Sequence, residues 1–168
     1  MCGISVIISK NKSKVPSDEL EKLNSKIAHR GPDDNYTIIK NNFGFAFRRL
    51  SIIDLSINAR QPMIDSSGNI IVFNGEIFNY VELRNELISH GQKFKTSSDT
   101  EVIMSAYKFW GKDCFKRFNG MWGIVLFDKL NNQIIASRDR FGIKPIYYWE
   151  NHSRMLFFSE IKQLTDLN

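Results

Sequence analysis

The cysteine at position 2 is the residue whose placement most directly suggests chemistry. A small residue after the initiator permits removal of Met1, which would leave a thiol and a free α-amine on one residue. An α-amino group titrates near ~8 and a thiol near ~8.5, so the amine could take the thiol proton near neutral pH without a histidine. Taken alone, a second-position cysteine is more often chemically silent, so other residues must decide. Arg49, beside Arg48, reads by itself as part of a surface basic pair on a strand edge. Asn74-Gly75 follows the apolar run Ile70 to Phe73 and has the composition of a hairpin turn, yet Glu76-Ile77-Phe78 leads toward a helix start and not a partner strand. Asp99 falls in the first turn of a predicted helix, where a carboxylate stabilises the helix by ~0.3 to 1 kcal/mol whatever else it does.

The elements that must position these residues are legible as strand runs at both ends with helices between them. Gly3 to Ser9 is short, β-branched and apolar, as in a strand buried on both faces, and it puts Cys2 at a strand's beginning. A helix is expected from Ser17, with Asp18 and Glu19 at its positive end and Leu20, Leu23 and Ile27 on one side, closed by Gly31-Pro32. Tyr36 to Ile39 and Phe43 to Phe47 form a predicted hairpin about Asn41-Asn42. Ser56 to Gly68 reads as a loop feeding a strand that stops at Asn74-Gly75. Asn79-Tyr-Val-Glu82 and Ser98-Asp-Thr-Glu101 have the form of capping boxes, with Gly91 and Gly111 at the helix ends and Leu83, Leu87 and Ile88 toward one core. Strands return at Trp122 to Phe127, Gln133 to Ser137, Ile146 to Trp149 and Met155 to Phe158. This order predicts an α+β layered fold and not a doubly wound sheet.

Composition excludes several classes. With 168 residues, 42% apolar and 24% charged, the chain fits one domain with a real core. Its apolar runs are far shorter than the ~20 residues of a membrane-spanning helix, and the order of a secretory signal is missing, so no membrane association and a cytoplasmic location are expected. The net charge of +5 is scattered, which argues against a nucleic-acid partner. Two cysteines, Cys2 and Cys114, make no disulfide scaffold, and the segment of Cys114, Phe115 and Phe118 looks like packing. The three histidines lie far apart, and neither they nor the cysteines show ligand spacing, so no metal is expected.

Met1-Cys-Gly-Ile4, His29-Arg-Gly-Pro-Asp33, Arg49-Leu-Ser-Ile-Ile53, Gln61-Pro62, Asn74-Gly-Glu-Ile77 and Ser98-Asp-Thr-Glu101 together resemble the class II glutamine amidotransferases, which belong to the N-terminal nucleophile hydrolases. Asn119-Gly-Met-Trp-Gly123, Arg138-Asp-Arg-Phe-Gly-Ile-Lys-Pro145 and Ser159-Glu-Ile-Lys162 resemble the asparagine synthetase branch, so the likeness spans the whole chain.

The resemblance implies a four-layer αββα sandwich with two mainly antiparallel sheets, and residues 1–168 as one type-2 glutamine amidotransferase domain. It implies Cys2 as nucleophile on L-glutamine, with the Asn74 amide and the Gly75 N–H as oxyanion donors. Arg49 would hold the glutamine α-carboxylate and Asp99 its α-ammonium, with Leu50, Ser51, Ile52, Ile53 and Glu76 completing the substrate site. The loop His29 to Asp33 would cover the pocket. Ammonia would pass to an ATP-dependent synthetase domain or subunit absent from this chain; ATP and Mg belong there, and no cofactor is expected in this domain. A homodimer is compatible with the family. Two alternatives stay open from residues alone: another N-terminal nucleophile amide hydrolase, against which Arg49 and Asp99 argue, and a non-catalytic regulatory or binding module of the same fold.

Overall fold

The computed structural model describes residues 1–165. One antiparallel sheet has the order β2-β3-β1-β9-β8, built from β1 (Gly3–Ser9), β2 (Asp34–Lys40), β3 (Phe43–Arg49), β8 (Tyr147–Glu150) and β9 (Arg154–Phe158). The second has the order β4-β5-β6-β7, built from β4 (Met63–Ile64), β5 (Ile70–Ile77), β6 (Gly120–Asp128) and β7 (Gln133–Arg138). Alternation along each strand decides which layer a side chain enters. Ile4, Val6, Phe45, Phe47, Val72 and Val125 fill the space between the sheets. Ile7, Ala46, Leu156 and Phe158 face outward against Val15 and against Leu20 and Leu23 on α1 (Ser17–Ser25). Ile71, Phe73, Trp122, Ile124 and Leu126 face outward against α2 (Tyr80–Ser89) and α3 (Asp99–Trp110). The layers are therefore helix, sheet, sheet, helix, the expected sandwich. Each fully buried leucine, such as Leu20 or Leu87, contributes roughly 1.5–3 kcal/mol relative to leaving it in water.

Several local expectations are corrected. Helix α1 ends at Ser25, and a separate 3-10 turn, Ala28–Arg30, runs up to Gly31. Gly31 lies so close to β3 that a Cβ there would stand 2.3 Å from the Arg48 carbonyl carbon. Asn79 does not cap α2 through its side chain; the amide instead donates to Arg117 O (3.0 Å) and accepts from Asn119 N–H (2.9 Å), tying the helix start to the approach to β6. Ile88 is exposed although Leu83 and Leu87 are buried. Only half of the second capping box forms: Ser98 Oγ accepts from the Glu101 N–H at 3.3 Å, whereas the Glu101 carboxylate takes the Lys95 and Thr96 N–H groups. Helix α3 ends, as expected, at Gly111 with φ +59°.

The largest correction concerns Asn74-Gly75. Strand β5 does not stop there; it continues to Ile77, with Asn74 opposite Gly123, Gly75 opposite Trp122 and Ile77 opposite Gly120. A tight hairpin needs positive φ in its central residues, and Gly75 is not among the residues that have it. Glycine is required here for another reason: a Cβ at Gly75 would stand 2.1 Å from the Met121 carbonyl oxygen on β6. The pair is thus held in extended conformation inside the sheet.

Candidate active site

The strand alternation that builds the inter-sheet core also aims the chemistry. Arg49 has the parity of Phe45 and Phe47 on β3, Cys2 that of Ile4 and Val6, and Asn74 that of Ile70 and Val72 on β5. All three therefore point between the sheets at one end of the sandwich. A solvent-open pocket lies there, lined by Cys2, Phe47, Arg49, Leu50, Ile52, Ile53, Asp54, Ala59, Gln61, Phe73, Gly75, Ser98, Asp99 and Thr100.

Cys2 is half-buried, and its Sγ lies 3.3 Å from the Leu50 N–H, which donates to it. Burial pushes the thiol up, while the Leu50 N–H and the charges of Arg49 and Arg30 act in the opposite direction. On the far side, Arg30, itself buried, donates Nε–H to the Cys2 carbonyl at 2.8 Å and Nη1–H to Glu160 at 2.9 Å. The loop His29 to Asp33 is therefore not a pocket cover: it clamps the Cys2 backbone from behind, and Asp33 accepts the Ser51 N–H at 2.7 Å.

Arg49 is buried on an interior strand, not exposed at a sheet edge. Its guanidinium donates to Ser56 O at 3.0 Å and to Asp54 O, which curls residues 50–56 into a rim over the pocket. A guanidinium carries five N–H donors, so Arg49 retains donors for an anion. The rim is tied across the opening, where Asp54 accepts the Ser97 N–H at 2.9 Å.

Asp99 opens α3 and accepts the Ile77 N–H at 3.2 Å. Burial pushes its carboxyl up to about 6, with the nearby charge of Glu76 acting in the same direction. Of the residues expected at the site, Glu76, Ser51 and Asn74 are not on the pocket wall.

Asn74 is 1% exposed, and its Nδ2 is the one buried side-chain nitrogen or oxygen among the described residues with no hydrogen-bond partner. Leaving such a donor unpaired costs about 1–3 kcal/mol, so it calls for an acceptor from outside the fold. Gly75 supplies a second donor by ladder geometry. Trp122, opposite it, directs both its N–H and its carbonyl to Asp139, at 3.1 and 2.9 Å. Gly75 and Trp122 are therefore a non-hydrogen-bonded pair, and the Gly75 N–H points away from β6. Phe73, of the same parity, turns its backbone the same way and meets the Gln61 side chain. Beside Gly75 no strand follows, because β4 pairs only with Ile70 and Ile71.

Gln61 and Thr100 were not singled out as site residues from sequence. Gln61 brackets the Phe73 backbone and donates to Thr100 Oγ1 at 3.1 Å, fixing β5 next to Asn74. The Gln61-Pro62 motif carried the signal; Thr100 had none beyond its place in the capping sequence.

Two stacked antiparallel sheets between helical layers, with Cys2 at the mouth of the inter-sheet cleft, form the four-layer fold expected of the N-terminal nucleophile hydrolases. A solved structure of glutamine phosphoribosylpyrophosphate amidotransferase from B. subtilis has the same fold, with a TM-score of 0.80 at 16% identity, covering 97% of this chain and 43% of that one. The chain belongs to the glutamine amidotransferase domain family, which it matches over residues 1–168. It is 44% identical over 170 residues to asparagine synthetase [glutamine-hydrolyzing] 2 of Bacillus subtilis, covering 98% of this chain and 22% of that protein. Asparagine synthetase [glutamine-hydrolyzing] 1 of the same organism is 38% identical over 168 residues, with 98% and 26% covered. The chain thus spans about a quarter of the length of these relatives. No helix among the described residues is long and apolar enough to cross a membrane.

Proposed function

We propose that this domain hydrolyses L-glutamine to glutamate and ammonia through a γ-glutamyl thioester on Cys2. Once Met1 is removed, the Cys2 α-amine accepts the thiol proton and the thiolate attacks the side-chain carboxamide carbon. The carbon–nitrogen bond breaks as the nitrogen takes a proton and leaves as ammonia; water then cleaves the thioester, releasing glutamate and restoring the thiol. Asn74 Nδ2 and the Gly75 N–H donate to the carboxamide oxygen as it becomes negative, each donor contributing roughly 3 kcal/mol in the transition state. Arg49 receives the α-carboxylate and Asp99 the α-ammonium, so the pocket selects a free amino acid. This chemistry needs no metal or organic cofactor. The observation that carries the reading is the unpaired and buried Asn74 amide, on the residue next to Gly75, which lines the pocket together with Cys2.

The named activity of the relatives supports the wider assignment: ammonia made here serves an ATP-dependent synthetase part, which uses ATP and Mg. Two free thiols fit a reducing compartment, the cytoplasm. The test is mass spectrometry of the intact chain after a glutamine-mimicking diazo-ketone, on matched samples with and without Met1. One adduct on Cys2, formed only after Met1 is gone, is the expected result; equal labelling and equal ammonia release from both samples would refute the α-amine as base.

A further inference from the structure

Behind Cys2, off the pocket wall, one carboxylate gathers three basic side chains. Glu160 Oε1 lies 2.9 Å from Arg30 Nη1 and 3.0 Å from His29 Nε2, and its Oε2 lies 3.1 Å from Lys162 Nζ. Burial raises the Glu160 carboxyl, but the hydrogen bonds from Arg30, Lys162 and His29 outweigh that and hold it at about 2. Glu160 is therefore an anion at every pH at which an α-amine can act as a base.

This carboxylate is fixed relative to the strand that begins beside Cys2. Gln163 Oε1 accepts the N–H groups of Ser159 and Glu160 at 3.0 and 2.9 Å, while its Nε2 donates to Ile4 O at 3.2 Å and to Ser5 Oγ at 2.8 Å on β1. Ser159 adds a second tie, its Oγ accepting the Ile4 N–H at 2.9 Å. From that anchor Arg30, only 7% exposed, holds the Cys2 carbonyl through Nε at 2.8 Å and brings Nη2 to 4.0 Å from Met1 Sδ, on the amine side of Cys2. Its charge and that of Arg49 both act on Cys2. Without an anion, the buried guanidinium would be free to turn and would stand as an uncompensated charge beside the reacting residue. A nearby positive charge makes an amine a weaker base, and a displaced Cys2 carbonyl displaces the amine on the same residue.

We propose that Glu160 is a positioning residue of the reaction: it holds Arg30 on the Cys2 carbonyl and offsets the guanidinium's charge, which keeps the Cys2 α-amine in place and basic. The inference rests on the glutaminase reading, in which that amine takes the thiol proton. It gives Ser159-Glu-Ile-Lys162 a part in the chemistry although none of its side chains lines the pocket.

The test separates charge from reach with two variants in the full protein, Met1 removed, by following ammonia release at saturating glutamine across pH. The readout is kcat, because Asp99 titrates in the free site and would distort kcat/KM. Glu160→Gln keeps the length and loses the charge: the acid limb of kcat should move to lower pH by about half a unit as Arg30 weakens the amine. Its kcat on the plateau should fall about 10-fold, with KM for glutamine within about twofold of the parent. Glu160→Asp keeps the charge and is one methylene too short: its limb should stay where the parent's is while kcat falls. Lys162→Gln, which shares Glu160 without touching Cys2, should keep the parent's kcat and limb. An unmoved limb in Glu160→Gln would overturn the proposal, as would a loss in Lys162→Gln equal to that in Glu160→Gln. So would Glu160→Asp with the parent's kcat, a result that decides the matter even where the Gln variant does not fold. Absence of ammonia release from the parent would instead sink the glutaminase reading itself.

Discussion

Cys2 and Cys114 are both free thiols, and burial pushes both upward, Cys114 to about 12. Around Cys114 nothing offsets that burial enough: it is sealed among Tyr107, Phe118 and their neighbours, and the charge of Asp113 raises it further. Around Cys2 the Leu50 N–H and two guanidiniums pull the other way, and the thiol opens onto a pocket. Reactivity follows the thiolate and access to it, so one residue type is packing at Cys114 and, in the proposed reaction, the nucleophile at Cys2.

The sharpest way to break that comparison is to remove each sulfur. Cys2→Ala should abolish ammonia release, a loss of at least about 10³-fold, because an activated nucleophile and its base act as a unit. Cys114→Ala should leave the turnover within about twofold and cost roughly 1–2 kcal/mol of stability in a urea titration, the cost of a small cavity in the α3 layer. Comparable catalytic losses in the two variants would end the distinction drawn here.

A second contrast sits beside Cys2. Asn74 Nδ2 has no hydrogen-bond partner among the described residues, so in the proposed reaction its cost to stability is compensated only when an oxyanion is present. Asn74→Ala should lower kcat by about 10²–10³ with little change in KM, while the urea midpoint stays level or rises. A marked loss of stability would show that the amide is structural and would remove the main support for the oxyanion site.

Much of this was legible in the chain. The sandwich, the hairpin of β2 and β3, the returning strands and the pocket positions of Cys2, Arg49, Gly75 and Asp99 follow from alternation, turn chemistry and the motif likeness. What escaped depended on partners distant in sequence. Asn74-Gly75 has the local composition of a turn, and only β6, some 50 positions on, keeps it extended. Asn79 looks like a helix cap until Asn119 takes its side chain. Arg30 and Glu160 are 130 residues apart, and no local pattern announces a clamp on the Cys2 carbonyl. Ser51 and Glu76 lie next to pocket residues in sequence, but strand and loop geometry turns them from its wall.

The last expected effect, on Asp99, bears on what the fold would give up for the proposed substrate. A carboxyl raised to about 6 when folded, against about 3.8 when unfolded, binds its proton more tightly in the native state. Stability is therefore highest below the unfolded value and falls as pH rises through the folded one, by up to about 3 kcal/mol for a shift of this size. Asp99→Asn keeps the shape and cannot ionise. It should raise the thermal midpoint relative to the parent at pH 8 and leave it little changed at pH 4. In the proposed binding mode glutamine would reverse the preference, since its α-ammonium would stabilise the ionised form. In the parent, KM for glutamine should accordingly climb as pH falls below about 6, whereas in Asp99→Asn it should be high throughout and flat. A flat KM in the parent would mean that Asp99 does not meet the substrate's ammonium, and its buried charge would then have no compensating ligand in this pocket.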